Sequence, residues 1–139
     1  MKVSLRTAAA GAMLLALCAC ASHTAPASAT NGESIFQTGK DSAGNAIAAA
    51  RPPLYPSCVA CHKADGSGGV KLPGGAVSAD LRHDALVTKQ KHPYTLATLQ
   101  RAIAGGVDNE GKKLDPVMPR WKLSPGDLHD VAVYVTTLK

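Results

Sequence analysis

The sequence predicts a small, mostly α-helical domain behind an export signal. Three observations predict this. An apolar run of signal-peptide length opens the chain. Helical periodicity with end signals is clearest near the C-terminus. The segments between are rich in glycine and proline and carry little strand pattern. At 139 residues the chain has room for one small domain.

Lys2 and Arg6 make a positive start, and Thr7 to Ala21 ("TAAAGAMLLALCACA") run almost without polarity. A comfortable membrane span needs about 20 apolar residues, so this run is too short. Its charged, apolar, small-residue order is that of a secretory signal. Two exits from the signal compete. "ASA" at Ala27, Ser28 and Ala29 fits an A-x-A cleavage site, which ends the signal at 29 and leaves a soluble protein. "LCAC", Leu17 to Cys20, resembles the bacterial lipoprotein box, which ends the signal at 1–20 and tethers the protein to a membrane through lipid on Cys20. Cys18 is an odd occupant of that box, and both cysteines also read simply as small apolar residues of the stretch. Residues 21–31 are small and polar and read as a flexible tether, with the domain at 32–139. Either exit delivers the domain to an oxidising compartment, the periplasm.

Export leaves Cys58 and Cys61 as the only cysteines, so no disulfide framework is available, and Met118 as the only methionine. Lys2 and Arg6 leave and no acid does. Thirteen basic against 10 acidic residues then remain, a net charge of +3. No run of five like charges suggests a nucleic-acid arm. The core is thin for the length, with Phe36, Trp121, three tyrosines and modest numbers of Leu, Ile and Val. A large apolar cofactor at its centre would mend that.

The elements follow in order. In "NGESIFQTG", Asn31 can cap a short helix, Glu33 suits its first turn, Gly39 can end it, and Ile35 and Phe36 face inward. "GKDSAGNAI" (Gly39 to Ile47) and "GVDNEGKKL" (Gly106 to Leu114) share the pattern G-x-D-x-x-G-x-x-[IL], which is turn chemistry leading into an extended stretch. Two matching hairpin-like turns are expected. "RPPLYPS" is irregular, with three prolines in seven residues. "CVACH" (58–62) follows, then a Gly-rich loop, and "SADLRHDALV" is loop or helical turn. A helix is expected over 94–105, with Leu96, Leu99 and Ile103 on one face and Gly105-Gly106 as its stop. Two prolines hold Met118 in an extended loop. In the last helix Ser124 caps, Pro125 takes the first position, and Leu128, Val131, Ala132, Val135 and Leu138 face inward.

Four chemistries fit two cysteines with this spacing. A redox dithiol needs a βαβ setting, but "RPPLYPS" precedes Cys58. Structural zinc needs four ligands, and only scattered His83, His92 and His129 remain. A plain disulfide leaves His62 unexplained. Covalent haem attachment explains both cysteines and His62, since C-x-x-C-H is its signature. Each thiol adds to one vinyl group of the porphyrin, and two intervening residues on a helical turn let both sulfurs reach neighbouring edges of one ring. His62 then lies under the iron as proximal ligand. Attachment occurs outside the cytoplasm, so signal and motif support each other.

Met118 is the candidate sixth ligand, 56 residues after His62 (118 − 62). Its thioether suits haem iron, and a His/Met pair raises the reduction potential. A lone methionine is more often core filler. Here it is the sole mature methionine and sits in a proline-stiffened loop. His83 or His92 are alternatives. His129 lies mid-helix on a polar side.

"CVACH" together with "MPRW" and the closing helix "LSPGDLHDVAVYV" resembles a class I c-type cytochrome domain of the bacterial monohaem kind, over about Gly32 to Lys139. The resemblance implies a small class I cytochrome c fold, three to five helices around one covalently bound haem c. It implies thioethers at Cys58 and Cys61 and axial ligands at His62 and Met118. It implies a glycine at Gly32 that lets the last helix cross closely, and an aromatic, Phe36, packed on Tyr134. Pro73 stands roughly where a family proline carbonyl orients the proximal imidazole. Lys63 stands where glycine often follows the haem histidine, and residues 40–57 form an extra segment, expected to pack against the turn at 106–114. Arg51, Arg120 and Trp121 are candidate partners for the haem propionates or ring edge. Function is then single-electron transfer between redox protein partners that dock at the exposed haem edge. The rivals are a haem domain that binds a small ligand at an open site and an electron-delivering subunit of a periplasmic dehydrogenase or oxidase.

Overall fold

Helix–helix contact at one glycine sets the frame. A computed structural model of the chain describes residues 27–139. The signal expected at 1–20 and Cys20, the expected lipid site, lie outside the described residues. Helix α1 spans Ala27–Thr38 and α4 spans Pro125–Thr136. They cross so closely that a Cβ added at Gly32 would lie 2.1 Å from the Asp130 carbonyl oxygen and 2.9 Å from Tyr134 Cβ. Below the crossing Phe36 stacks at a tilt on Tyr134, with centroids 5.4 Å apart and planes at 52°. Ile35, Phe36, Val131 and Ala132 are 0–1% exposed, and burying each large side chain stabilises the fold by about 1.5–3 kcal/mol.

The start of α1 differs from the sequence reading. The helix takes in the end of the stretch read as tether, and Asn31 lies inside it rather than at its cap. The buried Asn31 side chain is a cross-brace instead. Its amide donates to Asp127 and Asp130 carboxylates of α4, each at 2.9 Å, and its oxygen accepts from Ser42 N at 2.7 Å. An asparagine among apolar residues carries the same local signal for either role, so only the approach of α4 decides.

Helix α3 (Leu96–Gly105) packs on α4 through Leu99 and Ala102. It begins two residues later than expected because Thr95 caps it, in a reciprocal pair with Thr98. Ser124 caps α4 by accepting from Asp127 N, as the sequence predicts. Between Cys58 and α3 lie a one-turn helix, α2 (Val59–His62), a 3-10 turn (Pro73–Gly75) and a single π-helical turn (Asp84–Thr88), so "SADLRHDALV" is in part helical.

The paired sequence echo is a paired structure. Lys40 bridges Ala46 and Val107 bridges Lys113. In one turn Asp41 Oδ1 accepts from the N–H of Ala43 and Asn45, and in the other Asp108 Oδ1 accepts from Glu110 and Lys112. Ile47 N then bonds Gly39 O, and Leu114 N bonds Gly106 O, both at 2.9 Å. The extra segment, expected to pack against the second turn, makes main-chain bonds with residues 120–122. Its strand β1 (Ala48–Ala49) pairs antiparallel with β2 (Trp121–Lys122), and Ala50 N donates to Arg120 O. Extended chain leaving the first hairpin presents free N–H and C=O groups, and the residues after Met118 supply their partners.

Gly32→Ala is expected to lower stability by about 2 kcal/mol or more, since the new methyl group meets backbone that cannot yield, despite alanine's better helix propensity. Chemical denaturation followed by circular dichroism reads the change.

Candidate functional site

One apolar cavity collects the chemistry-bearing side chains. Its walls are Phe36, Leu81, Ile103, Trp121, Val131 and Val135, so the core residues of α1 and α4 also face it. Cys58, Cys61, His62 and Met118 all line it. His83, His92 and His129 are exposed and do not.

The cysteines are placed by a helical turn. Cys61 N and His62 N both donate to Cys58 O, at 3.1 and 2.9 Å, which puts the two sulfurs and the imidazole on one side of α2. The thiols are free. Cys58 as a whole residue is half-buried, but its thiol is desolvated, and this burial pushes it up to about 12. Burial also raises Cys61. A thiol of that kind is a poor thiolate donor, which weighs against a redox dithiol.

His62 Nδ1 lies 2.9 Å from the carbonyl oxygen of Ala79. A carbonyl only accepts, so Nδ1 carries the proton and Nε2 keeps its lone pair. Burial lowers the His62 pKa, outweighing the bond to Ala79, and favours the neutral ring. The acceptor is therefore Ala79, not the expected Pro73. Pro73 is exposed at the tip of a hairpin closed by a Lys71–Val77 bridge, and the returning strand carries Ala79 to the imidazole. Buried Ser78 locks that strand, donating to Cys61 O at 2.7 Å and accepting from Val70 N at 2.9 Å. Neither Ser78 nor the Ala79 carbonyl was singled out in the sequence. A main-chain acceptor has no residue-type signal, and a serine in a Gly-rich loop is unremarkable.

Trp121 is 5% exposed and forms part of the cavity wall. The arginines do not line the cavity. Arg51 is exposed on the Pro-rich segment. Arg120 turns its guanidinium to the backbone of its own loop, 2.8 Å from Leu114 O and 2.6 Å from Met118 O, and so is not placed as a propionate partner. The carbonyls of Leu114, Asp115 and Met118 converge on its guanidinium.

A family model described as Cytochrome c matches residues 29–139. This chain is a member of the cytochrome c family. None of the curated proteins and none of the solved structures matches it. The cytochrome binds haem c covalently through its Cys-x-x-Cys-His motif, here Cys58, Cys61 and His62, and is an electron-transfer protein. The donor set fits the group: two thiols one helical turn apart, an imidazole with an unprotonated Nε2, and an apolar enclosure.

Lys63 records the strain of this motif. It follows His62 at φ 61° and ψ 165°, a region that non-glycine residues rarely enter, and it is the one non-glycine with positive φ among the described residues. The departure from the family glycine is therefore costly. Lys63→Gly is expected to stabilise the holoprotein by about 1 kcal/mol, read as a raised denaturation midpoint with the visible spectrum unchanged.

Proposed function

We propose that this cytochrome carries single electrons between redox protein partners in the periplasm, with His62 and Met118 as axial ligands of its haem iron. The observation that supports this best is that, of the sixth-ligand candidates, Met118 alone lines the cavity that holds His62 and both cysteines. Haem iron supplies a reversible one-electron change, and a His/Met pair leaves no coordination position open. The chain's part is to hold both ligands and keep water away. His62 is oriented through Nδ1–H, and the walls of α1 and α4 exclude solvent.

Leu54, Tyr55 and Val77 line the same cavity yet are 41–60% exposed, so they mark its mouth. In this reading the haem edge reaches the surface there, and partners dock over it in small transient interfaces. The signal-like start of the sequence supports the reading, because haem attachment takes place outside the cytoplasm. Whether the mature chain ends in a lipid on Cys20 or begins free near residue 30 is read from the intact mass of membrane and soluble fractions, which also counts the haem. A role as the electron-delivering subunit of a dehydrogenase or oxidase is tested by co-purification.

In the holoprotein, Met118→Ala is expected to abolish the weak charge-transfer band of the oxidised form and to admit carbon monoxide to the reduced form. Equal carbon monoxide reactivity in the wild type and the variant would instead establish an open site.

A further inference from the structure

We propose that Arg120 is a positioning residue that holds Met118 in reach of the iron. This rests on Met118 being the sixth ligand. Residues 115–119 form neither helix nor strand. Pro116 and Pro119 lack N–H groups, so the loop has few bonds of its own. Met118 N donates to Asp115 O at 3.1 Å, and Val117 N to Asp115 Oδ1 at 2.9 Å. This turn leaves the carbonyls of Leu114, Asp115 and Met118 converging on one side. The guanidinium of Arg120 fills that point. Nη2 donates to Leu114 O at 2.8 Å and Nη1 to Met118 O at 2.6 Å, and both reach Asp115 O at 3.4–3.5 Å. The first two bonds are strong and tie the entry of the loop to the ligand residue itself, while the last two are marginal.

The side chain is itself anchored. It lies across Gly106, the left-handed residue that closes α3, where an added Cβ would fall 1.7 Å from Arg120 Nε. Its own carbonyl accepts from Ala50 N of the extra segment at 2.8 Å. No ion pair among the described residues involves Arg120, so carbonyl dipoles are what hold the cation. Movement of the Met118 backbone away from its place beside the cavity breaks the bond to its carbonyl, so the bond fixes the Cα from which the thioether reaches inward. A planar guanidinium presents two nitrogens at fixed separation to two carbonyls, whereas an ammonium offers donors from a single nitrogen.

The test uses the holoprotein and three variants: R120A, R120K and M118A. Carbon monoxide combination with the reduced form and the charge-transfer band of the oxidised form report ligand release, and thermal unfolding reports structure separately. R120A is expected to combine with carbon monoxide faster by about tenfold or more, the population change expected on removing charge-assisted hydrogen bonds. R120K is expected to fall between R120A and wild type. R120A with the wild-type rate and an intact band would overturn the proposal even if its unfolding temperature fell, because Arg120 would then only stabilise the surface. If R120A does not accumulate, R120K decides: a rate above wild type supports the proposal, and the wild-type rate sinks it. M118A separates the two levels. If it leaves band and rate as in wild type, Met118 is not the ligand and the underlying reading fails. If M118A changes both and the Arg120 variants change neither, only the positioning role fails.

Discussion

The contact between α1 and α4 at Gly32 governs what the rest of the molecule can do. Only a residue without a side chain admits the Asp130 carbonyl at that distance. The crossing turns Phe36 onto Tyr134 and sets Val131 and Val135 beside it. Those same side chains wall the cavity. Core and cofactor site are therefore two faces of one packed layer, and a change that loosens the first reshapes the second. Asn31 reinforces the arrangement with polar bonds to both acids on the facing side of α4.

The cavity also accounts for the modest core. Large side chains are few, and several of the core cluster also face inward on an apolar enclosure. A covalently held porphyrin supplies the apolar surface that the chain lacks, so folding and cofactor retention share one driving force. The loops around it are kept in place by main-chain bonds rather than by bulk. Ser78 and the hairpin beside it deliver Ala79 to His62, and the β1–β2 ladder braces the stretch that follows Met118. The extra segment 40–57 is thus part of the frame on the Met118 side, where the sequence had placed it against the second hairpin.

Strain and hydrogen bonding divide the His62 side of the cavity from the Met118 side. On the His62 side the chain turns sharply out of α2 through Lys63, in a backbone conformation suited to glycine. On the Met118 side the loop is short of internal bonds, and the guanidinium of Arg120 supplies them. The first side stores cost in the backbone. The second spends a charged side chain that would otherwise be free for the surface.

The amino-acid sequence by itself determined the attachment chemistry, because C-x-x-C-H spacing dictates which atoms share one helical turn. It determined the last helix, whose cap, first-turn proline and apolar stripe are all local signals. The matching turns were also readable, since an aspartate and a glycine three residues on close such turns without help from the rest of the fold. Met118 could be singled out from being alone and stiffly flanked, and it lines the cavity. What tertiary structure decided is of another kind. The acceptor for His62 is a main-chain carbonyl, and any residue could have carried it. Arg120 is turned to its own loop by carbonyls of Leu114 and Met118 that converge only in three dimensions. Asn31 could cap a helix or bridge two, depending on whether α4 arrives beside it. Local spacing fixes bonds within a turn, whereas bonds between distant segments exist only once the α1–α4 crossing has brought them together.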